Sequence, residues 1–445
     1  MSIEHSAYTR REFLSSGLVF ASAALAVPAF LQRSAIAMSK PLLGVSSVAG
    51  VPDDHILVVI QLSGGNDGLN TVVPFGMDAY HKARPGIGVG AKDALALSGA
   101  DGIGLHPALA GLKEIYDDGA LAVVQGVGYP NPNRSHFKST DIWQTADISA
   151  TGEGWLGRYF DSECCGFGKG ESGHKDNTSE KSSTTTSSPP GIAIGRTAPL
   201  SMQGRQITGV SFESPEMFRW SGETVDKDLA KAYEQSNLRG SENKAGKETN
   251  ADFLLRTALD AQVSSDLIRK AIASAPRVAY PNGQFAGQLR MIGQMIAAGL
   301  KTRVYYATLG GFDTHAGQGG AQGRHANNLR QLGDALKAFQ ADLRQQGNSG
   351  RVLTMTFSEF GRRVSQNASG GTDHGTAAPM FLMGEMVKPG VHADHPSLTK
   401  LDEGDLIYGV DFRSVYAAIL ESWLVASSKD VLQGNFDPFP VIKRA

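Results

Sequence analysis

Ile56-Leu-Val-Val-Ile-Gln-Leu62 is a mainly apolar run that stops abruptly at Ser63-Gly-Gly-Asn-Asp-Gly68. A short run of this kind between turn residues is typical of a β-strand that is buried on both of its faces. The glycines and the asparagine that follow it favour a tight turn. We therefore predict a strand at the centre of a sheet, with Asp67 just beyond its end.

Similar apolar runs alternate with stretches of helical periodicity along the rest of the chain. Further strands are predicted at 121–127, 303–309, 351–357 and 379–383, and helices at 105–116, 135–143, 253–273, 284–300, 324–345 and 410–425. Strands that alternate with helices of this length form mostly parallel sheets with helices on both faces. We predict an α/β fold of this kind, in one domain spanning residues 38–445, with loop insertions and no internal repeat.

The first 37 residues have the pattern of an export signal. Thr9-Arg-Arg-Glu-Phe-Leu14 precedes a mildly apolar run at 15–31, and Ala35-Ile-Ala37 has the small residues of a cleavage site. We predict a twin-arginine signal peptide at 1–37, with a buried amphipathic helix as the alternative. The mature protein is then expected to be exported, periplasmic or extracellular, after contact with the twin-arginine translocase. We expect no stable membrane span in the mature chain, because no other apolar run is long enough.

The overall composition excludes several classes of protein. The chain is 41% hydrophobic, and its 44 acidic and 42 basic residues nearly cancel to a formal charge of −2. A large core is expected, and nucleic acid is not expected as a partner. The two cysteines, Cys164 and Cys165, are adjacent, which argues against a disulfide framework and favours two free or buried thiols. They lie within residues 162–190, a polar low-complexity segment that we predict to be an insertion.

Polar side chains follow each of the main predicted strands. Functional groups in open parallel sheets gather beyond the carboxyl ends of the strands, so these residues are expected at one edge. In chain order they are Asp67; Arg134, Ser135 and His136; Asp313 and His315; and Glu359, Arg362, Asp373 and His374.

The aspartates and histidines of this edge are candidate metal ligands. Asp313 and His315 alone are more typical of a hydrogen-bonded turn, but Asp67, Asp373 and His374 at equivalent strand ends favour ligation of at least one ion. Imidazole and carboxylate suit zinc, and carboxylates also suit magnesium, manganese or calcium, so the sequence does not distinguish these metals.

The other polar residues of the edge each have more than one interpretation. Ser135 is either a helix N-cap or a nucleophile at the positive end of a helix. Arg134 and Arg362 would clamp an anionic ester, or form surface salt bridges. Glu359 is a metal ligand, a base or the partner of an arginine, and we favour the last. His136 either holds a metal ligand in position or faces solvent. Two loop histidines, His392 and His395, either complete a metal site or are exposed.

Seven stretches of the chain closely resemble domain-of-unknown-function family 1501, whose members are typically bacterial and exported. They are Val58–Pro74, Asn133–Phe137, Gly154–Arg158, Gly311–His315, Ser358–Arg362, Gly371–Gly375 and Asp411–Tyr416. The family is similar in plan to the alkaline phosphatase and sulfatase superfamily.

This resemblance implies an alkaline-phosphatase-like fold with one or two divalent metals and a nucleophile at a helix start. By position, Asp67 would be the metal ligand after the first strand and Ser135 the nucleophile. Asp313 and His315 would belong to one metal site, and Asp373 and His374 to the other. The chain lacks the Cys-x-Pro-Ser-Arg stretch of sulfatases that use formylglycine.

The sequence thus leads to two hypotheses of different class. The first is an exported metal-dependent hydrolase of phosphate or sulfate esters, in which Ser135 attacks a small anionic substrate. The second is a non-catalytic exported binding or assembly protein that retains the fold. A redox enzyme is disfavoured, because no Gly-x-Gly-x-x-Gly fingerprint follows the first strand.

Overall fold

The computed structural model of the protein describes residues 55–165, 188–214 and 267–443. The predicted export signal at 1–37, most of the predicted insertion and most of the predicted helix at 253–273 lie outside these residues. So do the side chains of Cys164 and Cys165.

The described residues contain strands of very different length. In chain order they are β1 (Ile56–Leu62), β2 (Val72–Val73), β3 (Leu95–Ala96), β4 (Gly104–Leu105), β5 (Leu121–Gly128), β6 (Gly191–Ile194), β7 (Val210–Phe212), β8 (Val304–Leu309), β9 (Val352–Phe357), β10 (Ala378–Met383), β11 (Gly390–His392), β12 (Leu401–Asp402), β13 (Asp405–Leu406) and β14 (Val410–Asp411). The main sheet has the order β11-β5-β10-β9-β1-β8-β6-β7, and β14 also pairs with β5. The predicted central strand is therefore confirmed as β1.

The helices of the described residues flank this sheet. They are α1 (Gly68–Thr71), α2 (Asp78–Ala83), α3 (Ala110–Asp117), α4 (His136–Thr145), α5 (Trp155–Cys165), α6 (Gln284–Ala297), α7 (Arg324–Gln346), α8 (Phe412–Ile419) and α9 (Ser428–Leu432). Short 3₁₀ turns lie at Pro107–Leu109, Leu200–Met202 and Ser349–Arg351, and a π-helical turn at Leu420–Leu424 extends α8.

The main sheet is parallel except at β10, which runs antiparallel to both β5 and β9. Because β10 is reversed, its first residues lie at the edge where β9 ends. The loop between the two strands, residues 358–377, therefore stays at that edge. The strands β1, β5 and β8 end at the same edge. The turns that follow four strands, β1, β5, β8 and β9, therefore all lie there.

Both faces of β1 are covered, as its sequence predicts. Ile56, Val58 and Ile60 belong to one apolar core with residues of α3, α6 and α7. Leu57 and Val59 alternate with them and belong to a second core with residues of α4, α5 and α8. Adjacent side chains of a strand point to opposite faces, so helices cover both sides of the sheet. The predicted α/β class is confirmed.

Two predicted helices begin later than the sequence suggested. The helix predicted from residue 105 begins at Ala110, because Leu105 pairs with Val72 and Leu95 in a small three-stranded sheet. The helix predicted from residue 410 begins at Phe412, because β14 takes Val410 and Asp411. The predicted main-sheet strands all begin and end within one residue of their observed bounds.

Among the described residues, no helix combines the length and the apolar character that crossing a bilayer requires.

Candidate metal centre

Two glycines allow the turns of this edge to approach one another closely. Gly64 has a φ of +116°, and a Cβ atom there would lie 2.5 Å from the backbone nitrogen of Asp313. A Cβ atom on Gly371 would lie 2.4 Å from the carbonyl of His315. Only glycine fits at both positions, so the turn after β1 packs against the turn after β8, which in turn packs against the loop before β10.

Three imidazoles and one carboxylate converge where these turns meet. The Nε2 atoms of His315 and His374 lie 2.9 Å apart. Oδ1 of Asp313 lies 3.1 Å from Nε2 of His315 and 3.4 Å from Nε2 of His374. Nε2 of His136, on the first residue of α4, lies 3.6 Å from the other Asp313 oxygen. His136, Asp313 and His374 each offer one donor atom, and these three atoms all lie within 4.8 Å of one another.

The opposite ring nitrogen of each histidine is held by an oxygen atom. Nδ1 of His136 donates to Oε1 of Glu359 at 2.8 Å. Nδ1 of His374 donates to the carbonyl oxygen of Arg134 at 2.8 Å, and Nδ1 of His315 donates to Oδ1 of Asp373 at 3.1 Å. A carbonyl or an ionised carboxylate only accepts hydrogen bonds, so each Nδ1 must carry a proton.

This assignment leaves a lone pair on each Nε2 when the rings are neutral. Two such lone pairs 2.9 Å apart, beside the Asp313 carboxylate, repel one another unless a proton or a metal ion lies between them. The buried Nε2 of His136 also has no hydrogen-bond partner. Burial lowers the pKa of His374, although the bond to the Arg134 carbonyl alone would raise it. The net lowering opposes protonation of this ring. The donor set thus fits a metal ion.

Asp313 is held in place by Arg362. Burial alone raises the pKa of Asp313, but its hydrogen bond to the guanidinium and the positive charge of Arg362 lower the pKa below its ordinary value. Nη2 of Arg362 lies 2.7 Å from Oδ1 of Asp313, and Nε donates to the carbonyl of Gly65 at 2.6 Å. The Arg362 side chain has no exposed surface. It therefore positions Asp313 and is not available to clamp a substrate as the sequence predicted.

Asp373 lies behind His315 and keeps its charge. Nδ2 of Asn367 donates to Oδ1 of Asp373 at 3.0 Å. This hydrogen bond is the main cause that lowers the pKa of Asp373, and the bond from His315 adds to it. In this arrangement Asp373 contacts the ring of His315 on the side away from the three Nε2 atoms. It orients the ring and is not one of the convergent donors.

Glu359 pairs with His136, and the predicted pairing with an arginine is wrong. Its buried carboxylate accepts from the ring of His136 and from the backbone nitrogen of Gly64 at 2.8 Å. A carboxylate behind a histidine fixes the tautomer and makes the other nitrogen a better metal ligand. Glu359 therefore directs Nε2 of His136 toward Asp313.

The Glu359→Gln variant tests this arrangement. We expect the affinity for Zn²⁺ to fall by roughly 10–100-fold, because the amide no longer supplies the negative charge behind His136. Competition with a chromophoric chelator measures this affinity directly. Glu114→Gln is the matched control, since Glu114 is exposed and pairs with Lys337 far from the cluster. Equal affinities in Glu359→Gln and Glu114→Gln would show that the carboxylate plays no part.

The structure does not bring Asp67 into this cluster. Its side chain is completely buried, and Oδ2 lies 2.5 Å from Nη1 of Arg84. Nε2 of Gln318 donates to the same oxygen. Since the turn after β1 points this carboxylate inward toward α2, we remove Asp67 from the candidate ligands.

The predicted nucleophile and the other arginine lie beside the cluster. Ser135 is exposed at the N-cap position of α4, but its side chain makes no capping hydrogen bond. It stands between Arg134, whose carbonyl holds His374, and His136. The half-exposed guanidinium of Arg134 binds Asp405 and lies 3.8 Å from Glu403.

The two loop histidines make local contacts instead of completing the cluster. Nε2 of His392 contacts the carbonyl of Lys388 at 2.7 Å, and Nδ1 of His395 contacts the carbonyl of Pro396 at 2.8 Å. His136 is the candidate ligand that sequence reasoning missed. Its place at the first turn of a helix that follows a strand end was the available signal, and the three residues Arg134, Ser135 and His136 were already expected at this edge.

A family model described as "Protein of unknown function (DUF1501)" matches residues 54–402. The chain belongs to this family. The match includes every residue of the His136, Asp313, His315 and His374 cluster, together with Glu359. No curated protein matches the chain.

This DUF1501 chain is similar to solved structures at low sequence identity. It is similar to the PsFucS1 sulfatase from Pseudoalteromonas sp., with 10% identity, a TM-score of 0.35, and coverage of 91% of this chain and 76% of the sulfatase. It is similar to alkaline phosphatase from the Antarctic bacterium TAB5, with 11% identity, a TM-score of 0.29, and coverage of 75% and 92%.

Proposed function

We propose that this protein is an exported metal-dependent hydrolase of phosphate or sulfate esters. One observation carries the proposal: three imidazole Nε2 atoms, each on the side of its ring away from the oxygen that holds Nδ1, lie close to the Asp313 carboxylate. The predicted export signal at 1–37 supports the proposed location, periplasmic or extracellular, and the twin-arginine translocase is the proposed partner during export.

The donor set favours one of the four metals that the sequence left open. Imidazole nitrogen and carboxylate oxygen are ligands that zinc prefers, whereas magnesium and calcium prefer oxygen donors alone. A bound zinc ion supplies a Lewis acid and lowers the pKa of a nearby hydroxyl. His136, His315, His374 and Asp313 would hold it, while Glu359, Asp373 and Arg362 would keep those four side chains in position.

Ser135 is the proposed nucleophile, because the chain presents its exposed side chain beside a ligand. A hydroxyl at the start of a helix also lies in the positive field of the helix dipole. Arg134 is the proposed contact for the ester oxygens, since its guanidinium is half-exposed whereas that of Arg362 is enclosed. An incoming anion would compete with Asp405 for Arg134.

Metal content is the first measurement that tests this function. We expect about one zinc ion per purified mature chain, and we expect a chelator to remove both the metal and the turnover of 4-nitrophenyl phosphate or 4-nitrophenyl sulfate. The His374→Ala variant is expected to bind Zn²⁺ more than about 100-fold less tightly, because even groups behind a ligand contribute 10–100-fold.

His392→Ala is the control for this experiment, because His392 makes only a local contact with Lys388. Circular dichroism of both variants checks that the fold persists. A wild-type protein without metal and without turnover would contradict the hydrolase and support the second hypothesis, a non-catalytic binding or assembly protein.

A further inference from the structure

An open cleft begins directly beside the histidine cluster. It is open to solvent and is lined by Pro132, Arg134, Phe360, Asp402, Ile407 and Tyr408, among others. The ring of Phe360 forms the boundary between cleft and cluster. Its centroid lies 4.8 Å from that of His136 and 4.7 Å from that of His374. A group bound at the cluster would therefore have this cleft as its neighbour.

The β12–β13 hairpin forms one wall of the cleft. Its two turn residues, Glu403 and Gly404, have φ angles of +50° and +87°. Positive φ angles at both central residues give the tight two-residue turn whose twist matches that of the paired strands. Arg134 connects this hairpin to the residues before α4 through its bond to Asp405.

The cleft has an apolar lining that includes one exposed hydrophobic side chain. Among the described residues, the large hydrophobic side chains that stand exposed are Phe137 (86%), Ile148 (43%) and Ile407 (43%). Of these three, Ile407 lines the cleft, together with Pro132 and Tyr408. A concave, mainly apolar lining beside a polar site is typical of a surface that binds a ligand.

The charges around the cleft are already paired. Of its lining residues, Arg134 is the one cation, and it binds Asp405 and approaches Glu403. Asp402 adds a further carboxylate to the lining, and Arg363 lies 4.0 Å from Asp405. A second negative group on a substrate would meet acidic side chains here, and it would find no free cation.

We propose that this cleft binds the organic part of the ester, and that this part is apolar and uncharged, such as an aryl group. The inference rests on the proposed function, because it takes the ester group itself to lie at the histidine cluster. Substrates with a second anionic group beyond the ester, such as polysulfated sugars or nucleoside polyphosphates, are excluded by the acidic side chains of the cleft.

Three phosphonates distinguish the contribution of the organic part to binding from that of the anionic group. Their carbon–phosphorus bond prevents hydrolysis. Calorimetry on the zinc-loaded mature protein would compare methylphosphonate, phenylphosphonate and 4-carboxyphenylphosphonate. We expect phenylphosphonate to bind about tenfold more tightly than methylphosphonate, because the ring leaves water for an apolar wall. The added carboxylate of the third compound is expected to cancel most of this gain.

Two isoleucine variants locate the effect. Ile407→Asp is expected to remove the preference for the phenyl group, because a carboxylate replaces the apolar side chain that lines the cleft. Ile148→Asp is the matched control, since Ile148 has the same exposed fraction but does not line the cleft. It is expected to bind all three compounds as wild type does.

Equal binding of methylphosphonate and phenylphosphonate to the wild type would overturn this inference and leave the proposed function standing. So would a phenyl preference that survives in Ile407→Asp. If neither phosphonate binds a protein shown to hold zinc, the ester site itself is wrong, and the proposed function fails together with the inference.

Discussion

Ser135→Ala is expected to lower kcat for aryl phosphates or sulfates by at least about 1,000-fold, as removal of a nucleophile does in other hydrolases. The expected loss follows from the place of Ser135 between Arg134 and His136, beside the convergent nitrogen atoms. Zinc content and the melting temperature should not change, because the Ser135 side chain makes no capping hydrogen bond.

Steady-state kinetics on 4-nitrophenyl phosphate and 4-nitrophenyl sulfate measure this effect, with Ser98→Ala as the control for an exposed serine away from the cluster. Turnover that survives in Ser135→Ala but disappears with the metal would assign the attack to water instead of the hydroxyl. Turnover that survives both changes would contradict the mechanism as a whole.

Asp67→Ala is expected to lower the free energy of unfolding by about 3–5 kcal/mol, because it leaves the Arg84 charge buried without its partner. Both side chains of this pair have no exposed surface. Arg84 also donates to the carbonyl of Val364 at 2.9 Å and to Oδ1 of Asn70 at 2.8 Å. These bonds keep the guanidinium in place, so it cannot move out to water.

Urea unfolding measures this loss, and Asp117→Ala is the matched control. Asp117 also pairs with a cation, Lys113, but it is exposed, so its removal should cost at most about 0.5 kcal/mol. A loss below about 1 kcal/mol in Asp67→Ala would show that water enters the site and screens the charge.

The pH dependence of unfolding gives the same pair a second signature. Burial alone raises the pKa of Asp67, but the charge and hydrogen bond of Arg84 outweigh it and hold the pKa below its ordinary value. The stabilisation is therefore complete above the unfolded pKa of about 4 and is lost as the pH falls through the lower folded pKa. The free energy of unfolding of the wild type should therefore fall over this acidic range. In Asp67→Ala this fall should be smaller, because the carboxylate that causes part of it is absent.

The strands and the fold class were predictable because they depend on local patterns. The apolar run that became β1 has a length and bounding turn residues that are typical of a doubly covered strand. The other four predicted strands begin and end within one residue of their observed bounds, whereas β6, β7, β11 and β14 were not predicted. Helix starts were predicted less well at Ala110 and Phe412. There, backbone pairing with distant strands took residues that helical periodicity alone would have included.

The site was predictable only as a set of neighbours. That Asp313, His315, His374 and the residues around Ser135 share an edge follows from the order of strands, and the structure brings them together. Which of them face one another does not follow, because the direction of a side chain depends on turns that pack against other turns. Arg362 and Glu359 are cases in point, since burial decides that one holds Asp313 and the other holds His136.

The amino-acid sequence by itself determined the α/β class, the central strand and the edge at which polar residues gather, because hydrophobic periodicity and turn chemistry act over a few residues. Only the tertiary structure decided that Asp67 turns inward to Arg84 while His136 turns outward to join His315 and His374. That choice depends on the free energy of burying charges against distant partners, which no local pattern records.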